Sequence, residues 1–310
     1  MRHFRTLAGI ALAAGALLWA GEVGAAVVIS EGFSYGGVSG SLAGKSGGGE
    51  VGLAGSWAVP LATVTYEPVG LTFRTLFTGG GDILIDSTTS GAGGAARAVR
   101  NPTANYTGSI WGSYLVQLVN GGNPSGFMVR QDNTGWDYGA QFTSSPKAFS
   151  WTVGDQRIGT AETPQNGVGT ALSYGGVYLV LFKVTNLGGS GNQVGTSWFL
   201  SPGQFSNFKA NLLDTLTETE LNAAGLGTAD NQVMQRMTVT ANNQNSHFLT
   251  TDFVTFALSN ITAGQHERAR FDELRISDTS LDETVPIMPE PTTLALLALG
   301  GLAVLSRRRR

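Results

Sequence analysis

The chain has no cysteine. Disulfide staples, thiolate metal sites and cysteine nucleophiles are excluded together. Histidine is nearly as scarce, at 3 residues, and His247 and His266 sit in no HExxH, GxSxG or other spaced ligand pattern. His266, in Gln265-His266-Glu267-Arg268, reads as a solvated loop residue. Proline is sparse too, with 10 residues against 44 glycines, and charged residues make up only 13% of the chain. No apolar run reaches the ~20 residues that cross a bilayer core comfortably.

The apolar runs that do occur stand at the two ends. Arg2 and Arg5 precede an apolar segment from Leu7 to Ala20, and Val23-Gly24-Ala25-Ala26 supplies small residues for a signal peptidase. Cleavage after Ala25 or Ala26 is expected, so 1–26 reads as a signal peptide. At the other end Leu294 to Leu305 is apolar apart from Gly300 and Gly301, and Arg307, Arg308, Arg309 and Arg310 close the chain. That segment spans only a thin or locally thinned bilayer, and its arginines hold the terminus on the cytoplasmic side. The bulk of the protein then lies outside.

Pro289-Glu290-Pro291, a short apolar segment and a terminal arginine cluster, in that order, resemble the PEP-CTERM sorting signal of Gram-negative bacteria that make extracellular polysaccharide. The resemblance implies that exosortase, a membrane-embedded protease, recognises Pro289, Glu290 and Pro291, cuts near them, and passes the protein toward the cell surface or matrix. The two prolines also disfavour helix at and before them, which keeps the recognition segment extended. Residues 289–310 are thus the sorting signal and 281–288 a linker.

Removing Arg2, Arg5 and Glu22 with the signal, and Glu290 with the four terminal arginines, leaves 13 basic and 20 acidic side chains, a net charge of −7. Nucleic acid and anionic lipid both need clustered Lys and Arg, so neither suits the mature chain. Roughly 260 residues between the cut sites are enough for one large core without disulfides.

Within that region, apolar segments of strand length alternate with Gly, Asn, Ser and Thr clusters, which predicts many short strands joined by turns. The candidate strands are 27–30, 61–66, 110–119, 126–131, 138–143, 148–153, 177–185, 194–200, 233–241, 253–258 and 269–276. In 177–185, Tyr178, Val180, Phe182 and Val184 share one face while Leu179 and Leu181 make the other apolar. A central strand covered on both sides is expected there. One helix is expected, within Leu213–Gly225, with Thr215/Glu218 or Thr217/Glu220 as its capping box, Gly225 as its stop, and a place on the surface.

Phe271-Asp272-Glu273-Leu274-Arg275-Ile276-Ser277 resembles the closing strand of concanavalin A-like, laminin-G-like jelly rolls. Thr196 to Pro202 is similar to a strand and Asn-Pro turn of that group, with Ser201 in place of Asn, and Ile29 to Tyr35 to its first strand. The resemblance implies an all-β jelly-roll sandwich over 27–280, flanked by a signal helix and a hydrophobic sorting helix.

Glycosidases on that scaffold carry carboxylates two residues apart on one strand, so that acid and nucleophile share a face. No such run occurs here. Asp272 and Glu273 are adjacent, so a regular strand points them to opposite faces; ordering a turn, or pairing with Arg268, Arg270 or Arg275, suits them better. No catalytic residue is assigned. No cofactor is required, and calcium is the cation that extracellular loops of this kind take. Asp132, Asn133 and Asp137, around Gly135, are the loop oxygens that would hold it, although any tight hairpin uses the same residues. Trp136, in that loop, is the ring best placed to stack on a sugar; Trp111, Trp151 and Trp198 lie in apolar strands and read as core. Glycine-rich 36–55, 79–81 and 90–94 lack a GK[ST] ending and read as flexible loops or turns.

Two functions are expected. One is a non-enzymatic surface or matrix protein associated with extracellular polysaccharide, with signal peptidase, exosortase and the membrane as partners during export. The other is a glycoside hydrolase or lyase whose carboxylates converge from separate strands.

Overall fold

The structure, a computed structural model, describes residues 27–287 except 48, 62, 75, 77, 87–95, 121–124, 131–137, 143–148, 154–164, 167, 170–171, 190–192, 212, 242–247, 251–252 and 259–267. Strands β1 to β6 are Val27–Glu31, Gly40–Ser41, Leu53–Leu61, Thr63–Glu67, Asp82–Asp86 and Ala96–Pro102. Then follow β7 to β12, at Gly108–Asn120, Ser125–Arg130, Tyr138–Phe142, Phe149–Val153, Gln165–Asn166 and Val168–Gly169. The last are β13 to β19, at Val177–Leu187, Gln193–Leu200, Gly225–Leu226, Gln232–Val233, Gln235–Ala241, Phe253–Leu258 and Arg268–Ser277. Helices α1 (Pro202–Phe208) and α2 (Glu218–Ala223) and a 3₁₀ turn (Asp282–Thr284) complete the described elements.

Among the described residues the strands form an antiparallel ten-stranded sheet, ordered β12-β17-β14-β13-β7-β19-β5-β4-β2 with β1 also on β19. A seven-stranded antiparallel sheet runs β11-β10-β9-β8-β18-β6-β3. The protein is an all-β sandwich. Its two sheets meet through aromatic rings: Phe256 of β18 lies 5.1 Å from Phe271 of β19 and 6.2 Å from Tyr114 of β7, between ring centroids.

The two-faced apolar pattern of 177–185 is explained by a third layer. Tyr178, Val180, Phe182 and Val184 enter the core between the sheets, while Leu179 and Leu181 enter a second core on the outer face of the larger sheet. The 68–79 loop, α1, α2 and the 3₁₀ turn cover that face, contributing Leu71, Phe73, Phe205, Leu221 and Val285. Helix α2 lies at the surface, as expected, with Thr219, Glu220, Asn222 and Ala223 exposed, and the fully buried Leu221 anchors it in the outer core. Its capping box uses Thr217 and Glu220, and it ends at Ala224 rather than Gly225. The expectation of a single helix also needs correction. Ser201, Pro202 and Gln204 form the capping box of α1, with Pro202 at its first turn, where its missing N–H costs nothing.

Strands β3, β5 and β6 had no place among the expected strands. β3 is an edge strand holding Pro60 and, at φ 66°, Gly55, both tolerated where one side of the ladder is open. Gly79 to Gly81, expected as a flexible loop, is tightly packed instead. A Cβ on Gly80 would stand 2.3 Å from the Gly32 carbonyl oxygen, and its φ is 92°. Residues 90–94, the signal segment and the sorting segment lie outside the described residues. The stretch expected as a linker is packed over its described part, with Leu281 and Val285 buried in the outer core and Ile287 only 6% exposed.

The centre of the larger sheet contains one site of very close approach. Gly112 of β7 pairs with Phe182 of β13, and a Cβ there would stand 2.0 Å from the ring. Gly112→Ala is expected to overpack the core and destabilise the protein by about 1–3 kcal/mol or more. Thermal denaturation checks it, and an unchanged midpoint would mean that the ring has room to move.

Candidate functional site

Charge is scarce in this chain, so buried charge is the place to look for chemistry. Among the described elements β19 carries the most, with Asp272, Glu273 and Arg275 all buried. Ala269, Phe271, Leu274 and Ile276 all enter the core between the sheets, a pattern that skips one residue at 272–273. The ladder to β7 shifts between Asp272 and Arg275, and Glu273 has φ 55°, the left-handed region that bulges use. The strict alternation that would send Asp272 and Glu273 to opposite faces therefore fails, and Asp272 feels the charge of Glu273.

Both are committed to holding the outer layer. Asp272 Oδ2 accepts from the Leu71 amide at 2.8 Å and Oδ1 from the Glu273 amide at 2.7 Å. Glu273 Oε1 accepts from the Gly79 amide, and Oε2 from Arg275 Nη2 at 2.5 Å. Arg270 donates to the Val69 carbonyl at 3.0 Å, and its Nη2 also lies 2.5 Å from Asp82 Oδ2 on β5. Three contacts along β19 thus sew the loop between β4 and β5 to the sheet. Of the arginines expected to pair here, Arg275 reaches Glu273, whereas Arg270 pairs with Asp82 and Arg268 with Asp86 at 3.1 Å.

Burial dominates the electrostatics. It raises Asp272 well above the usual carboxylate range, with the charges of Glu273 and Asp82 adding to the effect. It also raises Glu273, against the opposing pull of Arg275. Asp82, fully buried, is pushed up to about 7 by desolvation, which the Arg270 guanidinium only partly offsets. Raised carboxylates are what an acid catalyst needs. These, however, are enclosed, at 1% exposure for Asp272 and 3% for Glu273, and their oxygens are occupied by backbone amides and a guanidinium. Among the described residues no group of three His, Asp or Glu side chains is arranged to hold a metal.

The sign of the linkage is definite. The folded state holds a proton on Asp82 up to pH of about 7 whereas the unfolded chain releases it near 3.8. The stabilisation is complete below pH 3.8 and is lost as pH rises through 7. Each unit of the difference corresponds to about 1.4 kcal/mol. Asp272 and Glu273 act in the same direction. Stability should therefore increase from pH 8 to pH 5, and Asp82→Asn should flatten that rise; urea titrations at the two pH values check it, and equal slopes in parent and variant would remove Asp82 from the account.

A second buried network had no signal in the sequence. Glu31 of β1 accepts from the Phe33 amide, Tyr35 Oη, Trp57 Nε1 and Arg100 Nη1 at 2.8, 2.7, 3.1 and 3.1 Å. Arg100 of β6 also donates to Glu50 at 2.6 Å and to the Gly55 carbonyl at 2.5 Å. This network ties the two sheets together.

Three tryptophans are structural. Trp57 and Trp198 are buried, and half-buried Trp111 donates to Glu218 at 2.6 Å under the Lys183 ammonium, 5.0 Å from its ring centroid. Asp132, Asn133, Trp136 and Asp137 lie outside the described residues, in the connection between β8 and β9, whose ladder closes at Val129 and Tyr138. Ala25, Ala26, Pro289, Glu290, Pro291, Arg307, Arg308, Arg309 and Arg310 lie outside them too. An open depression of about 320 Å³ is walled by Val177, Tyr178, Pro202 and Met234 with the hydroxyl residues Ser201 and Thr228.

Residues 289–310 match the PEP-CTERM protein-sorting motif. The chain carries a sorting tail. The PEP-CTERM motif marks an exported protein that exosortase sorts and that is anchored in the membrane in transit. Among the described residues no helix is long and apolar enough to cross a membrane. No curated protein matches the chain. Solved structures that resemble it include botulinum neurotoxin type C, described in connection with cell entry through two ganglioside molecules, at 11% identity and TM-score 0.38 over 79% of this chain and 47% of that one. Another is the binding domain of botulinum neurotoxin DC in complex with rat synaptotagmin II, at 12% identity and TM-score 0.40 over 74% and 44%. A third is the botulinum neurotoxin serotype C1 binding domain, at 11% identity and TM-score 0.40 over 73% and 45%. This chain spans less than half the length of these proteins, and a likeness so distant carries no statement about ligands.

Proposed function

We propose that this is a non-enzymatic protein of the Gram-negative cell surface or extracellular matrix, a concanavalin A-like, laminin-G-like jelly roll that associates with extracellular polysaccharide. The observation that carries the reading is the sorting motif at 289–310, which follows an N-terminal segment of signal-peptide composition. The β-sandwich body supports it, as does the enclosure of the Asp272 and Glu273 carboxylates, which leaves them as fasteners rather than reagents. In this reading Trp136 stacks on the glycan, and Asp132, Asn133 and Asp137 take calcium.

A screen of the mature protein against polysaccharides, with and without calcium, tests the proposal. Binding without released sugar, weakened by Trp136→Ala, is the expected result; loss on chelation would bring in the loop oxygens. Released sugar would replace it with the glycoside hydrolase or lyase reading. Silence on every glycan would leave a structural matrix role.

A further inference from the structure

The C-terminal end of the described body is tied down along its length. Asp282 Oδ1 accepts from Lys209 Nζ at 2.5 Å and from the Leu216 amide at 2.7 Å. The Thr284 carbonyl accepts from Ser113 Oγ of β7 at 2.6 Å, and Ser277 Oγ donates to Glu283 Oε2 at the end of β19. Val285 is fully buried, and Ile287 makes an antiparallel bridge to Leu76. The PEP-CTERM motif begins at residue 289. Met288 is therefore the single residue between a buried, bridged side chain and the first proline of the motif. A protein that takes up an extended peptide pairs with its main chain over several residues. A stretch already paired and buried in the body cannot offer itself that way until it opens locally.

We propose that residues 281–287 are an autoinhibitory strap on processing. While the strap is docked on the outer core it fixes the chain two residues before Pro289, and processing draws on the fraction of molecules in which it has lifted. After processing the strap docks again, so the mature protein keeps 281–287 as part of its outer layer. The strap rests on the sorting reading above.

The test uses the full chain in cells that contain its exosortase, with pulse-chase for the rate and mass spectrometry for the mature C-terminus. A flexible Gly/Ser spacer inserted between Met288 and Pro289 leaves the strap docked while lengthening the chain between its docked end and the motif. It is expected to speed processing by about tenfold, the change that ~1.4 kcal/mol of docking corresponds to. Ile287→Ser, which weakens the docked end, should speed it as well. A processed parent whose rate the spacer does not raise, or a mature C-terminus falling within 281–287, would overturn the strap and leave the sorting reading standing. A parent that is never processed would remove the sorting reading, and the strap with it.

Discussion

Replacing Pro289, Glu290 and Pro291 together by alanine is expected to abolish processing while leaving export intact, so that the full-length precursor stays in the membrane. Two physical effects act together. The recognition side chains are lost, and each Pro→Ala change removes a helix penalty of about 3 kcal/mol. The apolar run that starts at Leu294 can then extend as helix toward residue 289, and the segment no longer presents an extended main chain. Glu290→Gln separates the effects, because it keeps both prolines and removes only the charge. Immunoblots of membrane and surface fractions decide the matter: a mature-sized product from the triple alanine variant would show that these residues are not the recognition element.

Arg100→Leu is expected to be among the most destabilising single changes in the body. The guanidinium, on a residue 3% exposed, holds the carboxylate of Glu31, 1% exposed, and that of Glu50. Removing the arginine leaves Glu31 charged and buried with only neutral donors. Breaking a buried pair in this way costs about 3–5 kcal/mol. At ~2–4 °C per kcal/mol for a domain of this size, the melting midpoint should fall by about 10 °C. Burial already raises the Glu31 carboxyl, and losing Arg100 raises it further, so the loss should be smaller at pH 5 than at pH 8. Adding Glu31→Gln to Arg100→Leu should recover part of the stability, which a double-mutant cycle reads directly. A midpoint within ~2 °C of the parent would show that the network is dispensable.

How much of this fold is legible in the chain itself follows from the range of the interactions concerned. Val177 to Thr185 was legible because side-chain direction in a strand alternates locally, and apolar residues at both phases require cover on both faces. The α2 capping box was legible because its donor and acceptor are three residues apart. The α1 box, Ser201 with Gln204, is equally local but is masked by the resemblance of Thr196 to Pro202 to a strand and turn. β5 and β6 were obscured for another reason: Asp82, Arg97 and Arg100 interrupt their apolar pattern, and these charges find cover only in the fold. The bulge at Glu273 was invisible because nothing in Phe271 to Ser277 distinguishes a strand that keeps its phase from one that slips by a residue.

By itself, then, the sequence determined the address and the class of fold. Sorting depends on a contiguous segment that a membrane and a protease meet as a linear chain, and β-structure on a two-residue period, so both can be read residue by residue. Only the tertiary structure decided that Asp272 and Glu273 are fasteners of the outer layer, that Glu31 and Arg100 close the sandwich across 69 positions, and that Ile287 is bound to Leu76 two residues before the motif. Those facts concern desolvation and partners brought together from distant parts of the chain. A carboxylate's chemistry is set by what surrounds it once water has gone, and no local pattern encodes that.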